Sequence, residues 1–571
     1  MTVVKLITDH IDIWSSALQI RSTVGRGSNG KIDLYGIKKL RELILELAVR
    51  GKLVPQDPND EPASELLKRI AAEKAELVKQ GKIKKQKPLP EISEDEKPFE
   101  LPEGWEWTRL GDIVKVSSGD GLTSSQMEVS GDIPVYGGNG INGYHDSFNV
   151  SKRTLVIGRV GFYCGSIHVT PSRAWVTDNA FKTEFSEDNL YLDFLRVLLT
   201  ITNLKENENA TAQPVISGKK IYPIVVAIPP YQEQRSIVKK VEELMFLCEQ
   251  LEQQSLTSLD AHQQLVETLL STLTDSQNTE ELAENWARIS QYFDTLFTTE
   301  ASIDALKQTI LQLAVMGKLV LQDPNDEPAS ELLKRIEQEK AQLVKEGKIK
   351  KQKPLPPVSD EEKPFQLPIG WEWCRIGEII ANMDAGWSPA CSPEPSPNED
   401  IWGVLKTTAV QSLEYREQEN KTLPNSKLPR PQYEVHDGDI LVTRAGPKNR
   451  VGVSCLVEKT RSKLMISDKI IRFHLISDDI SAKYISLCLN RGVTADYLEA
   501  SKSGMAESQM NISQENLRSA PIALPPTAIQ LKVISTIEDF FKVCDQLKSR
   551  LQSAQQTQLH LADALTDAAL N

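Results

Sequence analysis

The chain contains one long stretch of its own sequence twice, and this internal repeat limits the folds it can adopt. GKLVPQDPNDEPASELLKRI begins at Gly51 and GKLVLQDPNDEPASELLKRI begins at Gly317, so nineteen of twenty positions agree at an offset of 266 residues. The decapeptide GKIKKQKPLP then follows in both copies, at Gly81 and Gly347. A repeat of this kind predicts two similar structural units, which can present two similar surfaces to one ligand.

Length and composition exclude several classes of protein. A chain of 571 residues is too long for one core and predicts three or four folded units. No run of eighteen apolar residues occurs, and the N-terminus mixes charges into its apolar residues, so we expect neither a membrane span nor a signal peptide. The seven scattered cysteines lack a C-x-x-C spacing, which favours a reducing cytosol over disulfides or structural zinc.

The net charge of −13 argues, taken alone, against nucleic acid as a partner. Phosphate contacts depend on local patches, however, and not on the charge of the whole surface. The net charge therefore does not decide the matter.

Each copy of the repeat begins with helices. Apolar residues spaced 3-4-3 predict the first helix, from Ile37 to Leu47 and again from Ile303 to Leu313. A second helix opens near Pro62 or Pro328, and a tether rich in lysine and proline follows (Lys82 to Lys87, Lys348 to Lys353). Both tethers lead into the motif GWEW.

Two globular segments follow the tethers and are related more distantly. Residues 101–230 and 367–526 carry short apolar runs separated by glycine, asparagine and proline, which predicts α/β domains. TLVIGRVG at Thr154 matches DILVTRAG at Asp439, and the offset has grown to 296 by Gln509. The second copy therefore carries about thirty inserted residues between fixed ends.

A heptad helix follows each globular segment, and its 3.5-residue spacing predicts a coiled-coil seam. The seam residues are Ile237, Val241, Leu244, Cys248 and Leu251 in the first helix, and Val533, Ile537, Phe540, Cys544 and Leu547 in the second. We expect the two seams to pair with each other; the alternative is that each helix packs on its own globular domain.

These patterns predict a mixed α+β chain with an internal pseudo-twofold repeat. Two α/β globular domains are joined by long helices that form an intramolecular antiparallel coiled coil. The predicted divisions are listed here in chain order: 1–100, an N-terminal helical region with the lysine-rich tether; 101–230, the first globular domain; 231–366, a central helical region with a coiled-coil helix at 231–257 and the repeated block at 303–366; 367–526, the second globular domain; and 527–571, a C-terminal coiled-coil helix.

This organisation resembles the specificity subunits of type I restriction–modification enzymes, in particular the larger-subunit branch of that family. The resemblance is carried by the two GWEW domain starts, by the boundaries Ile228–Pro230 and Leu524–Pro526, by YQEQRSIVKKVEELMFLCEQL and by the repeated block. It covers essentially the whole chain.

The resemblance implies a DNA-recognition subunit without catalytic activity. Each globular segment would be a target recognition domain that reads one half of a split, asymmetric site in double-stranded DNA, and the helices would set the unread spacer. The implied partners are two methyltransferase subunits and two motor-nuclease subunits. S-adenosylmethionine, ATP and Mg²⁺ would be bound by those partners, with no cofactor or metal in this chain, and the complex would be cytoplasmic.

The motifs of the alternative, a fused methyltransferase or nuclease, are missing from the sequence. Adenine methyltransferases need [DNS]-P-P-[YF], whereas this chain has Ile228-Pro-Pro-Tyr231 and Leu524-Pro-Pro-Thr527. No G-x-x-x-x-G-K-[ST] phosphate loop occurs, and the histidines show no metal-ligand spacing. A pure coiled-coil scaffold, a third hypothesis, would not need two diverged globular domains.

Residues that read DNA need donors that reach base edges, and cations position the phosphates. The candidates from the sequence are Tyr136, Asn139, Asn142, Tyr144, His145, Lys152, Arg153, Arg159 and Lys182 in the first domain, and Lys406, Arg416, Arg444, Lys448, Arg450 and Lys469 in the second, with Trp387 and Tyr415 as further candidates. Arg159 and Arg444 occupy equivalent positions after a strand, where the alternative role is a structural salt bridge.

Three other features of the sequence allow two interpretations each. The loop from Tyr136 to Asp146 could approach a groove or could be a plain turn. Gln213 and Gln509 could pair with adenine, although occurrence in both domains favours a structural role. The lysine tethers could contact phosphates or a partner, but a solvated linker is favoured.

Overall fold

A computed structural model of the chain describes residues 3–21, 31–83, 87–161, 163–204 and 215–570. Its internal contacts divide the chain into two compact units. The first consists of Met1–Leu259 with Ser553–Asn571, and the second of Asp260–Gln552. Each unit contains one copy of the repeated block and one globular segment.

The first unit begins with helices, continues through a sheet-rich segment and ends in a long helix. Its elements are α1 (Val3–Asp9), α2 (Ile11–Ser16), β1 (Gln19–Arg21), β2 (Lys31–Asp33), α3 (Tyr35–Val49), α4 (Ala63–Lys79), β3 (Glu106–Arg109), α5 (Leu110–Ile113), β4 (Val114–Ser118), β5 (Ile133–Gly137), β6 (Gly140–His145), β7 (Leu155–Gly158), β8 (Ile167–Val169), β9 (Trp175–Val176), β10 (Ala180–Phe185), α6 (Leu192–Ile201), α7 (Gly218–Ile221), β11 (Val225–Ile228) and α8 (Tyr231–Asp275), the last part of which belongs to the second unit.

The strands of the first globular segment form three small sheets. An antiparallel sheet has the order β4-β10-β7-β8, and a second sheet, β6-β5-β9, contains one parallel pair, β5 with β9. Strands β3 and β11 pair antiparallel with Trp107 opposite Ala227, so the segment begins and ends at the same ladder. Neighbouring ends are typical of a module that can be exchanged as a unit.

The second unit repeats this series with additions. Its elements are α9 (Thr279–Gln291), α10 (Phe293–Leu296), α11 (Glu300–Val315), α12 (Ala329–Lys345), β12 (Glu372–Arg375), α13 (Ile376–Ile379), β13 (Ile380–Ala385), β14 (Gly403–Leu405), β15 (Val410–Gln411), β16 (Glu414–Tyr415), β17 (Asn420–Thr422), β18 (Ile440–Thr443), β19 (Ala445–Gly446), β20 (Ser454–Leu456), β21 (Leu464–Met465), β22 (Ile470–Leu475), α14 (Ala482–Asn490), α15 (Gly492–Ala500), β23 (Met510–Asn511), α16 (Gln514–Ser519), β24 (Pro521–Leu524) and α17 (Thr527–Leu570), whose end belongs to the first unit.

The sheets of the second unit have the same connections as those of the first. Sheet β13-β22-β18-β20 corresponds to β4-β10-β7-β8, sheet β17-β14-β21 again contains one parallel pair, and β12 pairs with β24 as β3 does with β11. Part of the inserted sequence forms the hairpin β15–β16. The prediction of two related α/β domains is therefore confirmed, and an insertion lies inside the second one.

The first helix of each repeat is buried as its 3-4-3 spacing predicts. Ile37, Leu40, Ile44 and Leu47 of α3 are at most 2% exposed. After each of the two helices the chain turns at a glycine with positive φ, +70° at Gly51 and +71° at Gly317. A side chain at Gly51 would also meet the ring of Pro102 at 2.5 Å, so glycine is required there for both reasons.

The two long helices each begin in one unit and end in the other. The start of α8 lies in the same core as the end of α17, including Ala562, and the start of α17 lies with the end of α8, including Val266 and Leu270. The helices therefore run antiparallel, as predicted. Helix α8 has 45 residues and is longer than the predicted coiled-coil helix 231–257. Helix α17 has 44 residues.

The predicted pairing of one seam with the other is wrong. The seam residues of α8 are buried beside α3, and those of α17 pack in a different core beside α11. The two seams cannot meet because each occupies the first part of its helix, and the first parts of antiparallel helices lie in different units. Each seam instead faces the repeat helix of its own unit and the last part of the other long helix.

A buried glutamine fixes each long helix to its own globular segment. Gln234 is fully buried, accepts the backbone N–H of Tyr191 at 2.8 Å and donates to the carbonyl of Pro229 at 3.2 Å. Gln530 is equally buried and repeats both contacts with Ser481 and Pro525, at 2.7 and 2.9 Å. Because losing a buried hydrogen-bond partner is costly, these contacts hold the helix at a fixed angle to the sheets.

A second repeated contact ties the tether to the base of each globular segment. The guanidinium of Arg375, 5% exposed, donates all five N–H groups: two to Glu362 at 2.6 and 2.8 Å, and one each to the carbonyls of Pro356, Pro357 and Ser519. Arg109 repeats the arrangement with Glu96 and three carbonyls. We call Arg109 and Arg375 the anchor arginines.

The anchor arginines make the fold sensitive to acid. Hydrogen bonds from Arg375 hold the pKa of Glu362 at about 2, against an ordinary value of 4.5. A lowered folded-state pKa stabilises the fold above pH 4.5, and this contribution is lost as the pH falls towards 2. We expect acid titration followed by circular dichroism to show a shallower decline below pH 4.5 for Glu362→Gln than for the parent chain; equal slopes would contradict this.

In the described residues, the structure contains no helix with enough length and apolar character to cross a bilayer.

Candidate nucleic-acid interface

The equivalent arginines Arg159 and Arg444 occupy the same place in the two globular segments. Each directly follows the strand in the middle of its sheet, β7 or β18. The Arg159 N–H donates to the Asn179 carbonyl at 2.9 Å, and its carbonyl accepts from Ile216 at 2.9 Å. The matching bonds of Arg444, to Lys469 and from Ile512, are both 2.8 Å. The backbone frame around the two arginines is therefore the same.

The side chain of Arg159 lies against its own domain. Its guanidinium is 5.4 Å from the centre of the Phe181 ring and 3.3 Å from both the Ser118 hydroxyl and the Asp178 carbonyl. Its Nε atom is buried and has no hydrogen-bond partner. Among the described residues no carboxylate pairs with it, so the structural salt bridge considered as an alternative does not form.

Arg444 has the same backbone and different side-chain surroundings. Its side chain is half-buried and makes no hydrogen bond or ion pair with any other residue that the structure describes. Lys469, whose carbonyl accepts from the Arg444 N–H, has an exposed side chain that is likewise unpaired within the described ranges. Two cations that are unpaired within the described ranges are therefore carried by residues whose backbones are hydrogen-bonded to each other.

The glycine- and asparagine-rich loop of the first segment is the hairpin of β5 and β6, and β6 is an edge strand. Asn139 and Asn142 are exposed, and Tyr144 and His145 are half-buried. The prediction that Tyr136 faces a ligand is wrong, because this side chain is 8% exposed and packs in the core of its sheet. All five residues of β5 are buried, because this strand lies between β6 and β9 in its sheet.

The hairpin turn requires a glycine at one position. Gly140 has φ of +86°, and a side chain there would meet the ring of His168 at 3.1 Å. His145 stands edge-on to Trp175 with 5.1 Å between the ring centres. The hairpin is therefore held rigidly while its asparagines remain exposed.

Most of the other predicted cations are paired with carboxylates. The pairs are Lys152 with Glu187, Arg153 with Asp193 at 2.9 Å, Lys182 with Asp120 at 3.4 Å, Lys406 with Glu419 at 3.7 Å, Arg416 with Glu414 at 2.9 Å and Lys448 with Glu507 at 3.6 Å. Such surface pairs contribute little free energy, so these cations can exchange one anion for another. Arg153 is the exception, because its partner Asp193 is largely buried.

Arg450 was predicted as a DNA contact, but its guanidinium is occupied by hydrogen bonds within its own domain. Its guanidinium donates to the Gln411 side chain at 2.9 Å and to the carbonyls of Thr407 and Val410 at 2.8 and 2.6 Å. Burial lowers the pKa of this guanidinium. Arg450 therefore fixes the inserted hairpin β15–β16 to the domain.

Two cation–aromatic pairs were missed at the sequence level. Arg430 lies over the Trp387 ring at 4.2 Å, and Arg173 lies over the Phe148 ring at 4.7 Å. In the sequence each arginine is separated from its aromatic partner by 25 or more residues. Because each pair forms only when distant segments meet in the fold, no local signal in the sequence indicates it.

The remaining predicted features are only partly described. Gln509 has an exposed side chain, whereas Gln213 lies outside the described residues. Residues 84–86 of the first tether, which include Lys84 and Lys85, also lie outside them. The second tether is described, and its Gln352 accepts a hydrogen bond from Arg518 at 2.9 Å.

Comparison with known proteins gives one consistent result. The family model "Type I restriction modification DNA specificity domain" matches residues 102–261 and 368–555. The specificity subunit of the type I restriction enzyme EcoEI from Escherichia coli is 76% identical, and that of EcoAI from the same organism is 49% identical; both alignments cover all of each chain. The crystal structure of an HsdS subunit from Thermoanaerobacter tengcongensis is 17% identical, with 83% of this chain and 98% of that chain covered and a TM-score of 0.39.

The chain therefore belongs to the family of type I restriction–modification DNA specificity subunits, and the specificity domain occurs in it twice. It is a DNA-recognition subunit, and catalysis lies in other subunits of the complex. The two family matches begin next to β3 and β12 and include most of each globular segment.

Proposed function

We propose that the two globular segments, 101–230 and 367–526, each read one half of a bipartite, asymmetric DNA site. The long helices, each of which begins in one unit and ends in the other, set the length of the unread spacer. The observation that carries this proposal is the pair Arg159 and Arg444, which have the same backbone hydrogen bonds and different side-chain surroundings. Two domains that read different half-sites require the same backbone structure at the reading position and different side chains around it.

Direct reading in this proposal depends on groups that are exposed or can exchange their partner. Arg444 and Lys469 are the leading candidates in the second domain, and the exposed amides of Asn139 and Asn142 are those in the first. An arginine can form two hydrogen bonds with guanine, and an asparagine can form two with adenine. The surface-paired lysines would neutralise phosphates.

The chain works with partners in this proposal. Two methyltransferase subunits dock on the helical regions, 1–100, 231–366 and 527–571, and two motor-nuclease subunits join them. These partners bind S-adenosylmethionine, ATP and Mg²⁺. The thiol form of the seven cysteines suits a complex that works in the cytoplasm.

Exchange of one domain tests the proposal. Residues 101–230 enter and leave at the ladder β3–β11, so a relative's domain can be joined at Glu106 and Ile228. We expect the exchanged chain, assembled with its partners, to methylate sites in which one half is new and the other half and the spacer are unchanged. Mapping of methylated adenines in a cell carrying the complex measures this. A change in both halves would overturn the proposal.

We expect Arg444→Ala to weaken discrimination at one base pair by about 1–3 kcal/mol, because an arginine that binds two guanine atoms contributes that much. Binding of the assembled complex to duplexes that differ at single positions provides the measurement. Lys427→Ala, which removes an exposed cation elsewhere in the domain, is the control. A loss that is equal for all sequences and grows with salt would instead identify Arg444 as a phosphate contact.

A further inference from the structure

A large cavity in the second unit lies away from Arg444 and Lys469, although the further DNA-contact candidate Tyr415 is in its wall. Its walls come from α11, α14, α17 and the inserted hairpin β15–β16, and its volume is about 930 Å³. Small-molecule sites typically have volumes of about 300–1,000 Å³. The cavity is therefore large enough to hold a ligand of that class.

Arg491, which directly precedes α15, lines this cavity and has no counter-charge. Its Nε atom is buried without a hydrogen-bond partner, and no carboxylate in the described part of the chain pairs with its guanidinium. Burial lowers the pKa of Arg491, and no acidic neighbour opposes that effect. A half-buried arginine without an anion is costly, because its lost hydration is not replaced.

The other cations of the cavity wall are already neutralised or hydrated. Lys307 pairs with Asp545, and Lys483 pairs with Glu458 and Glu538 at 2.7 and 2.8 Å. Lys459 is exposed to water. Four carboxylates also line the cavity, and each has a cationic partner: Asp545, Glu458 and Glu538 pair with Lys307 or Lys483, and Glu414 pairs with Arg416. Arg491 is the half-buried cation of the wall that pairs with none of them.

A second polar group without a partner lines the same cavity. Ser486 of α14 is 2% exposed, and its hydroxyl oxygen is buried with no hydrogen-bond partner. A serine hydroxyl can donate one hydrogen bond and accept others. Because buried polar groups are nearly always satisfied, the Ser486 hydroxyl and the Arg491 Nε leave hydrogen-bonding capacity in the cavity wall that a bound molecule can use.

Part of the wall is apolar, beside polar residues such as Gln308, Ser412 and Glu414, and the backbone of one lining residue is strained. Leu311, Leu487 and Phe541 contribute apolar surface. Leu413 at the tip of the hairpin has φ of +63°, which is unfavourable for a leucine, and its N–H donates to the Ser454 carbonyl at 3.0 Å. Such strained residues often lie at ligand sites.

We propose that this cavity binds an oxyanion, a carboxylate or a phosphate, carried on a small apolar group. The guanidinium of Arg491 and the hydroxyl of Ser486 bind the oxygens, and Leu311, Leu487 and Phe541 cover the apolar part. The first unit offers no such arginine: α6, the counterpart of α14, is followed by Thr202 where α14 is followed by Arg491. An occupant would brace the inserted hairpin against α17, independently of the DNA-reading role.

Thermal unfolding of the full-length chain tests the proposal with defined compounds. Inorganic phosphate, phenyl phosphate and 3-phenylpropanoate are titrated at constant ionic strength against sodium chloride. We expect a saturable rise in melting temperature, with at least one phenyl compound binding more tightly than inorganic phosphate. The two phenyl compounds distinguish a phosphate ligand from a carboxylate ligand.

Variants assign the effect to the cavity. Arg491→Gln is expected to weaken binding about tenfold or more, because a charge-assisted hydrogen bond is lost. Arg491→Lys should retain part of the affinity and serves as the test if the glutamine variant does not fold. Phe541→Leu should weaken only the phenyl compounds. Lys427→Gln makes the same charge change at an exposed position outside the cavity and should change nothing.

Two results would overturn the proposal. One is the absence of any saturable shift with all three compounds in the parent chain. The other is equal binding by the parent chain and by both Arg491 variants, which would place the bound anion elsewhere.

Discussion

Arg375→Ala is expected to lower the free energy of unfolding of the second unit by about 3–5 kcal/mol, the range for breaking a buried, hydrogen-bonded ion pair. The substitution removes five hydrogen bonds at once. It leaves Glu362 without its cation and three carbonyls without donors. The tether would then detach from the ladder of β12 and β24, whose residues Arg375 and Pro521 stand opposite each other.

The size of this effect is measured best by hydrogen exchange at β12 and β24, because a chain with two units need not unfold in one step. Arg375→Lys should lose most of the same stability, since an ammonium group cannot satisfy five acceptors in one plane. Arg416→Ala is the matched control, because it also breaks a bidentate ion pair with a glutamate, Glu414, but at the surface. If Arg375→Ala exchanged no faster than this control, the anchor would have no role in stability.

The anchor arginines show what a repeat can and cannot reveal. The sequences GWEWTR and GWEWCR place Arg109 and Arg375 at the same offset of 266 residues. That identity indicates a shared role, but it does not indicate the partner. The role depends on where the tether turns back, which brings Glu362 and two proline carbonyls to the same guanidinium. Contacts of this kind depend on the tertiary fold and have no local signal.

The long helices likewise show which features the sequence predicts and which depend on the tertiary fold. A 3.5-residue spacing predicts which side of a helix is buried, and seam residues such as Ile237 and Val533 are indeed fully buried. The spacing does not encode which partner lies opposite, because a heptad pattern fits many helices equally well. The repeat helices α3 and α11 fill that position, and their own 3-4-3 patterns were visible without any indication of the pairing.

The candidate interface was predictable in position and less so in detail. The match between Arg159 and Arg444 located equivalent backbone sites, because the strands and glycines around them recur. Whether each guanidinium is held or free depends on distant residues such as Ser118 and Phe181. Tyr136 was misassigned because composition suggested a loop, whereas the segment is a strand in which all five residues are buried.

Lengthening both long helices by seven residues is expected to abolish recognition of the original site and to create a site with a longer spacer. Seven helical residues add about 10 Å, which corresponds to about three base pairs. Duplication of Gln253–Leu259 and of Gln546–Gln552 places the additions just before the points where α8 and α17 pass from one unit to the other. The read bases should not change, because Gln234 and Gln530 still fix each helix to its own domain.

Duplication in only one helix provides the control, and the antiparallel arrangement determines its outcome. Both helices begin in one unit and end in the other, so a single insertion in α8 shifts its last part, including Val266 and Leu270, by seven residues while α17 keeps its length. We expect this chain to be less stable and to direct methylation to neither site. The double variant should bind less tightly than the parent chain, because about three extra base pairs also turn the duplex by roughly 100°, which must be absorbed by untwisting. Methylation mapping that finds the original spacer in the double variant would show that the helices do not set it.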